Sequence, residues 1–497
     1  MKTINHSFIN FIEGTAMKKY FVTLFVILFM SVSANAQNFN DALRLSDIGI
    51  SGGARSLAMG NAYTALSNDF SASIFNPAGF GLIKKTELST GFNYNSFDNN
   101  TAFFNSKTDL NNSVTKFSEA GITLPFPTTR GSFVVSIGYN QLKDFNKVLG
   151  FSGYNPNNNS YIQDLTSYND DLAFKLALSY PTYDANNKYL NDVTVINGGL
   201  NQRGIIRQEG ALNSWSFSGA LEVDQNLFVG ATVNIYSGTF KRTKDYYEED
   251  LLNNYPSSVL LDPSEPGSAD FKSFNMKDVI DWELSGSGLK LGALFKLNDN
   301  VNLGATIKLP TTYTVKESYS SYGTSLFGTG RTFTYNPNPE NYEYEISSPA
   351  EFSLGGAYTL KNLTLSGNAT LIDYSKMEFK GGFNNSAVMN KNSDIVNMMR
   401  SVVNLNAGAE YLLSNNKIAL RAGFMLMPSA FKDDPSDYDK KYLTAGVGYN
   451  FSRSSSINFA YVYGWWKDIG DNYGVNVSRT FQDIKYQNFV TSLKFTL

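Results

Sequence analysis

The feature that most constrains this chain is a strict alternation of apolar and polar residues that returns in stretches of about ten residues, the length of a tilted strand that crosses a bilayer. In VNLGATIKL, Val301, Leu303, Ala305, Ile307 and Leu309 are apolar, and the residues between them are small or polar. Successive side chains of a strand point to opposite faces, so the pattern predicts a strand with one face in an apolar medium and the other in water. It recurs in LFVGATVNIY (227–236), GLKLGALFKL (288–297), EFSLGGAYTL (351–360), KIALRAGFML (417–426) and NFVTSLKFTL (488–497).

Fifteen such runs begin near residues 86, 117, 132, 172, 215, 227, 288, 301, 351, 363, 402, 417, 441, 456 and 489. A closed bacterial barrel takes an even number of strands, with short turns at one end and long loops at the other. Setting aside LAFKLALSY (172–180) leaves connections that alternate: six are short, near 125–131, 224–226, 298–300, 361–362, 412–416 and 452–455, and seven are long. The chain therefore reads as an all-β protein, a 14-stranded antiparallel transmembrane β-barrel over residues 86–497 with both termini at the short-turn end. Helices and closed barrels alone satisfy every backbone group in lipid, and beyond residue 36 no apolar run is long enough for a spanning helix. A soluble β-sandwich or propeller is the competing architecture. Strand length, the lack of an internal repeat and a chain that ends inside a strand, with Phe489, Thr491, Leu493, Phe495 and Leu497 on one face, count against it. Trp465-Trp466, with Tyr461 and Tyr463, suits an aromatic belt at a membrane interface.

Composition narrows the function. Cysteine is absent and His6 is the only histidine. His6 precedes what reads as a secretory signal: Lys18-Lys19, an apolar stretch from Tyr20 to Met30, then Ala34-Asn35-Ala36. The expected start is Met17, with residues 1–36 removed. The remainder, without His or Cys, cannot run a Ser-His-Asp or Cys-His mechanism and lacks the usual zinc, copper and haem ligands, so neither enzyme nor cofactor is expected. Losing Lys2, Lys18, Lys19 and Glu13 leaves 38 basic and 43 acidic residues, a net charge of −5 that excludes a basic nucleic-acid footprint. On the polar face of the runs lie Glu222, Lys290, Lys296, Lys308, Glu410 and Arg421. Lys290, Lys308 and Arg421 are candidate lumen cations for a ligand carboxylate, against the plainer alternative that they pair within the barrel or with a plug. DDPSDYD (433–439) lacks the spacing of a calcium loop and reads as solvated. The connection expected at 237–287 carries Leu251-Leu252 and Val259-Leu260-Leu261, which suit either capture of a greasy ligand or packing between loops.

Residues 37–85 lack sustained alternation. They show helical spacing around Ala58, Tyr63 and Leu66, then the turn residues Asn68-Asp69 and Asn76-Pro77, where proline restricts Asn76 to extended or turn geometry. A compact piece rich in small residues ahead of the first strand is expected to fold into the lumen and plug it. GARSLAMGNAYTALSNDFSASIFNPAGF (53–80) resembles the N-terminal signature of the FadL/OmpP1/TodX family of outer-membrane transporters for hydrophobic compounds. Asn76-Pro77-Ala78 carries the match, with Gly60-Asn61-Ala62-Tyr63 and Asn68-Asp69 in support.

The resemblance implies an N-terminal hatch in a fourteen-stranded barrel of a Gram-negative outer membrane, the strand number reached independently above. It implies passive uptake of hydrophobic small molecules such as long-chain fatty acids. These would be captured by outer loops from the lipid and lipopolysaccharide layer and released past the hatch through a lateral opening at a kink in the third strand. It places Phe39 at the pocket and Gly138 at the kink, and puts 172–180 in the loop between strands three and four as an amphipathic helix. Such a barrel also meets the barrel-assembly machinery during biogenesis. The alternative within this architecture is a protein-interaction or secretion and surface-assembly factor.

Overall fold

The computed structural model describes residues 38–167, 171–413, 416–474 and 476–497; the leader expected at 1–36 lies outside them. Its strands are β1 (Glu87–Phe103), β2 (Ser106–Phe126), β3 (Phe133–Asp144, continued by Lys147–Tyr154), β4 (Asn201–Asp224) and β5 (Leu227–Glu249). Next come β6 (Phe271–Lys296), β7 (Val301–Lys308, continued by Thr312–Phe327), β8 (Glu340–Ser347, continued by Glu351–Leu360) and β9 (Leu363–Asp373, continued by Glu378–Lys380). The last are β10 (Ser401–Leu413), β11 (Ile418–Met427), β12 (Lys440–Asn450), β13 (Ser455–Asp471) and β14 (Arg479–Thr496). Each pairs antiparallel with the next, and β14 returns to β1 from Glu87↔Thr496 to Ala102↔Phe481, closing a 14-stranded barrel. The run at 172–180 is not a barrel strand. Asp171–Lys175 is helical and lies in the β3–β4 connection.

Alternation places the apolar members outside, as at Leu303, Leu420 and Leu354, the last 68% exposed. Asn234, Ser366 and Thr444 on the polar face are buried in the lumen. An aromatic row crosses the outer surface of the first strands: Phe92 meets Phe117 at 5.3 Å, Phe117 stacks on Tyr139 at 5.7 Å, and Tyr139 meets Trp215 at 6.0 Å. Tyr463 and Trp465 continue it on β13, stacked at 5.8 Å. Trp466 does not share that belt. As the next residue of a strand it must face inward, and it is buried against Phe97 and Tyr442.

The strands extend beyond their alternating cores. β5 runs to Glu249 and β6 begins at Phe271, so the connection expected at 237–287 is only 250–270. Past the apolar band the outward residues turn polar and charged residues also enter the buried inward face, as Lys244 and Glu248 do in KRTKDYYEE, so the period-two signal fades although the ladder continues. The long connections close that end with an apolar cluster that includes Ile162, Leu172, Tyr246, Leu261, Phe271 and Phe327. Glu248 ties it together: its carboxylate accepts from Ser160 Oγ (2.6 Å), Tyr161 N (2.8 Å), Gln202 Nε2 (2.8 Å) and Tyr246 Oη (3.0 Å). Of the two apolar groups in this connection, the second sends Leu261 into this cap, whereas Leu251 and Leu252 of the first stand 69% and 62% exposed.

Inside the barrel sits the N-terminal segment. Helix α1 (Phe39–Ser46) begins with a reciprocal cap in which Asn38 N donates to Asp41 Oδ2 at 2.9 Å. Helix α2 (Ala54–Ala58) and two 3₁₀ turns, Phe70–Ser73 and Pro77–Leu82, follow.

Candidate functional site

The N-terminal segment docks where the wall has no side chains. Gly230 of β5 and Gly292 of β6 face each other in register. A Cβ on Gly230 would lie 2.5 Å from Ala78 N, and one on Gly292 would lie 2.1 Å from Asn76 Oδ1. Three more cross-strand glycine pairs repeat the device. Gly304 and Gly355 receive Thr64, Gly408 and Gly423 receive Met59-Gly60, and Gly121 and Gly138 receive the ring of Phe70. Glycine in mid-strand weakens a sheet and marks close approach of another backbone. Here three of the four pairs seat the 59–78 stretch of the chain itself, and the fourth seats the Phe70 ring.

The motif Asn76-Pro77-Ala78 completes the fit. Asn76 Nδ2 donates to the carbonyls of Thr64 (2.8 Å) and Ala293 (3.0 Å), while Oδ1 accepts from Ala78 N (3.1 Å) and caps the turn begun by Pro77. One side chain thus links the segment to itself and to β6. Gly60, at φ +59°, and Asn61, at φ +51°, form the left-handed turn that lets Met59-Gly60 lie on β10 and β11.

Charge secures the same region. Arg55 of α2 grips Glu410 of β10 with two bonds, Nε to Oε2 at 3.1 Å and Nη2 to Oε1 at 3.0 Å. Arg421 adds Nε to Glu410 Oε2 at 2.6 Å, and Nη1 of Arg55 donates to Tyr63 Oη (3.0 Å) and Asn68 Oδ1 (2.5 Å). Tyr63 Oη in turn donates to Asp69 at 2.5 Å, so Tyr63 and Asp69 belong to one network with the barrel wall. The three candidate lumen cations are all engaged: Lys290 donates to the Ile74 carbonyl (2.5 Å), Lys308 pairs with Glu351 (2.6 Å) and Arg421 with Glu410. The plainer sequence alternative describes them.

The residues 39–51 are held differently. Arg44 lies over the rings of Phe240 (4.4 Å) and Trp282 (5.2 Å), and Phe39 packs edge-on against Phe431 at 6.0 Å. Asp47 Oδ2 accepts from Lys440, and its carbonyl accepts from Lys143, which also bonds the Arg44 carbonyl at 2.8 Å. Burial works against ionisation of Asp47, but Lys440 and then Lys143 outweigh it and hold the carboxyl well below its ordinary value. Beside this turn is a cavity of about 100 Å³ with apolar walls from Ile48, Ile50, Leu57, Phe97, Trp466 and Val490, and with Lys143, Lys147 and Lys440 at one end. A larger space of about 480 Å³ toward the long loops shares Phe97, Trp466 and those three lysines.

One wall of the cavity is interrupted. β2 and β3 pair only from Glu119↔Asn140 to Phe126↔Phe133, and beyond that β2 pairs with β1 alone among the described residues. The register on β4 slips between Gln141 and Lys143, β3 breaks at Phe145-Asn146, and its continuation leans inward. There Val148 packs near Phe97 and Leu110 and its carbonyl accepts from Asn99 Nδ2 at 2.9 Å. Gly138 is not the site of the break. It is paired to Gly121 and Ser216 on both sides, and its missing Cβ makes room for Phe70, whose ring such an atom would meet at 2.3 Å.

Sequence reasoning did not single out Arg55, Asp47, Lys143, Lys440 or Phe70, because each acts through a partner distant in the chain, nor Lys147, whose place beside the cavity is set by the fold. The glycine seats did leave a signal: a Gly near the middle of one alternating run after another, as in FVGAT, KLGAL, NLGAT and RAGFM.

The family model described as outer membrane protein transport protein (OMPP1/FadL/TodX) matches residues 29–488. Among solved structures, the toluene transporter TodX of P. putida aligns with a TM-score of 0.54 at 12% identity, covering 90% of this chain and 99% of that one. A FadL homologue of Pseudomonas aeruginosa aligns with a TM-score of 0.55 at 15% identity, covering 90% of this chain and 98% of that one. At such identities the likeness is one of fold. No curated protein sequence matches the chain. A closed 14-stranded barrel, a lumenal N-terminal segment seated by Asn76-Pro77-Ala78 and a family match over most of the sequence agree: the chain belongs to the OMPP1/FadL/TodX family of outer-membrane transport proteins.

Proposed function

We propose that the protein carries hydrophobic small molecules with an acidic head group, such as long-chain fatty acids, across the outer membrane, with residues 38–85 as its hatch. The observation that carries this reading is the cavity that joins an apolar wall to three lysines, Lys143, Lys147 and Lys440. Burial of an alkyl chain contributes about 0.8 kcal/mol per CH₂. The ammonium groups would receive a carboxylate through charge-assisted hydrogen bonds. Lys147 is the first candidate, since it has no hydrogen-bond partner among the described residues whereas Lys143 and Lys440 hold Asp47. Phe39, through α1, would keep the larger space above partly filled until a ligand displaces it. The parting of β2 from β3 would be the lateral way out, and the short-turn end, with both termini, would face the periplasm. This route needs no cofactor or energy-coupling motif.

The test is saturable binding of oleate and oleyl alcohol to the purified full-length protein. Oleate is expected to bind about tenfold more tightly, the equivalent of one charge-assisted bond, and Lys147→Met is expected to erase the difference. Phe39→Ala is expected to alter affinity for both. No saturable binding of either probe overturns the reading.

A further inference from the structure

On the outer wall of the barrel three lysines surround an aromatic ring. Lys441 of β12, Trp465 of β13 and Lys485 of β14 stand side by side in register on the outward face, and Lys467 follows two residues beyond Trp465 on the same strand. Residues opposed across strands lie about 5 Å apart at Cβ, and residues two apart on one strand about 7 Å. The indole therefore has a lysine on either side and a third above it. Tyr463 stacks on it from below at 5.8 Å. A recess of about 710 Å³ runs along this face, lined by all five side chains.

The level of this group in the wall bears on what can meet it. Nearer the short turns the same outward faces carry Leu443, Phe459 and Phe489, all exposed, as an apolar band set in acyl chains requires. The lysines begin where that band ends, beside Tyr463 and Trp465, and such residues sit at the depth of the lipid head groups.

Other outward lysines are placed differently. Lys316 lies between Glu283 and Glu343 in register, and Lys241 between Glu209 and Asp281. Alternating charge of that kind is satisfied across the strands themselves. Around Trp465 two of the carboxylates are already engaged and the cations are accessible. Asp98, beside Lys485, accepts from Asn111 and from Gln487 (3.3 Å). Asp437 pairs with Lys467 at 2.9 Å, but both side chains are more than half exposed, and a pair so wet exchanges easily. Asp483 faces Lys467 in register. Lys441 donates to the Ser436 carbonyl, and Lys485 has no hydrogen-bond partner among the described residues.

An aromatic face accepts the flat apolar face of a sugar ring, and ammonium groups give phosphate charge-assisted hydrogen bonds. We propose that Trp465 with Lys441, Lys467 and Lys485 binds the phosphorylated sugar head of an outer-leaflet glycolipid, with the ring on the indole, the phosphates on the lysines and the acyl chains along Leu443, Phe459 and Phe489. A phospholipid would engage the lysines but offers no ring to the indole. The glycolipid is a resident of the outer wall, separate from any ligand in the lumenal cavities. From the proposed function this site takes only the orientation, with the long loops facing outward.

The test is titration of the detergent-purified full-length protein with rough lipopolysaccharide, read by native mass spectrometry, with each variant first shown to be a folded barrel by its heat-dependent migration in gels. Lys441→Gln, Lys467→Gln and Lys485→Gln together are expected to weaken binding about tenfold, as is removal of the lipid's phosphates with the unmodified protein. Lys241→Gln with Lys316→Gln is expected to leave binding unchanged. Undiminished binding by the triple variant, or an equal loss in the control pair, overturns the site. So does phosphatidylglycerol that binds as tightly as the lipopolysaccharide and is indifferent to Trp465→Ala. Oleate binding should be the same in the triple variant and the unmodified protein; its absence from both overturns the ligand reading and leaves this site standing. The chain has no cysteine, so Leu252→Cys reports orientation: an impermeant maleimide should label it on intact cells, and labelling only after lysis overturns the proposal.

Discussion

The two halves of the hatch are held in opposite ways. Residues 54–82 meet the wall with backbone and the Phe70 ring, on glycine pairs that leave no room for a Cβ, and lock with the bidentate Arg55–Glu410 pair. Residues 39–51 meet it mainly through side chains, Lys440 and Lys143 on Asp47 and Arg44 over two rings, with cavities alongside. Close-packed backbone has few alternative positions, whereas a lysine can follow or release its carboxylate by rotation of its own stem. The first half is therefore the part free to move, and the second is the anchor.

The largest expected break is Glu410→Ala. It leaves the guanidinium groups of Arg55 and Arg421 near each other in a mostly buried site, a loss of about 3–5 kcal/mol. Limited proteolysis from the short-turn side should then cut within residues 54–82. If cleavage instead stays confined to residues before 52, the Arg55–Glu410 pair is not what anchors the second half.

A smaller loss, about 1–3 kcal/mol, is expected for Gly292→Ala, whose Cβ would fall 2.1 Å from Asn76 Oδ1. Gly219→Ala is the control. A Cβ there meets nothing within 4 Å, and its thermal transition should match that of the unmodified protein. Equal shifts in both variants would mean that the seats act through strand propensity and not through the hatch.

The smallest effect concerns pH. The carboxyl of Asp47 is depressed in the folded state, so its contribution is present above the unfolded value near 3.8 and is lost only as pH falls through the lower folded one. The 39–51 half should stay docked at pH 5, followed by a fluorophore on residue 38, while Asp47→Asn should loosen it at every pH. Release between pH 5 and 7 would show that another group holds the latch.

Much of the barrel was legible in the sequence because each spanning strand has to satisfy two solvents at once. That requirement writes period two into Val301 to Leu309 and into thirteen other stretches, and the turn lengths separate them from the run at 172–180. Where the requirement lapses the reading lapsed too. Above the aromatic row the outward faces of β5 and β6 turn polar while the inward faces are buried beneath the loop cap, so the period-two code no longer marks their ends. Trp465-Trp466 reads as one belt in the sequence, although strand geometry sends the two side chains to opposite sides. Asn76-Pro77-Ala78 could be read as a turn, but not as a turn that bonds β6.

Gly138 separates the two levels most clearly. In the sequence it is a glycine of the third strand, and the family resemblance implies a kink there. In the fold it is a vacancy shaped for Phe70, and β3 yields instead at Phe145-Asn146, past its last pairing with β2. By itself the sequence determined the barrel, its strand number and the compact N-terminal piece, because local alternation and turn chemistry are written residue by residue. Tertiary structure alone decided the glycine seats, the Arg55–Glu410 lock and the lysine cavity. Each of these depends on atoms brought together from opposite ends of the chain, and no local pattern records such a meeting.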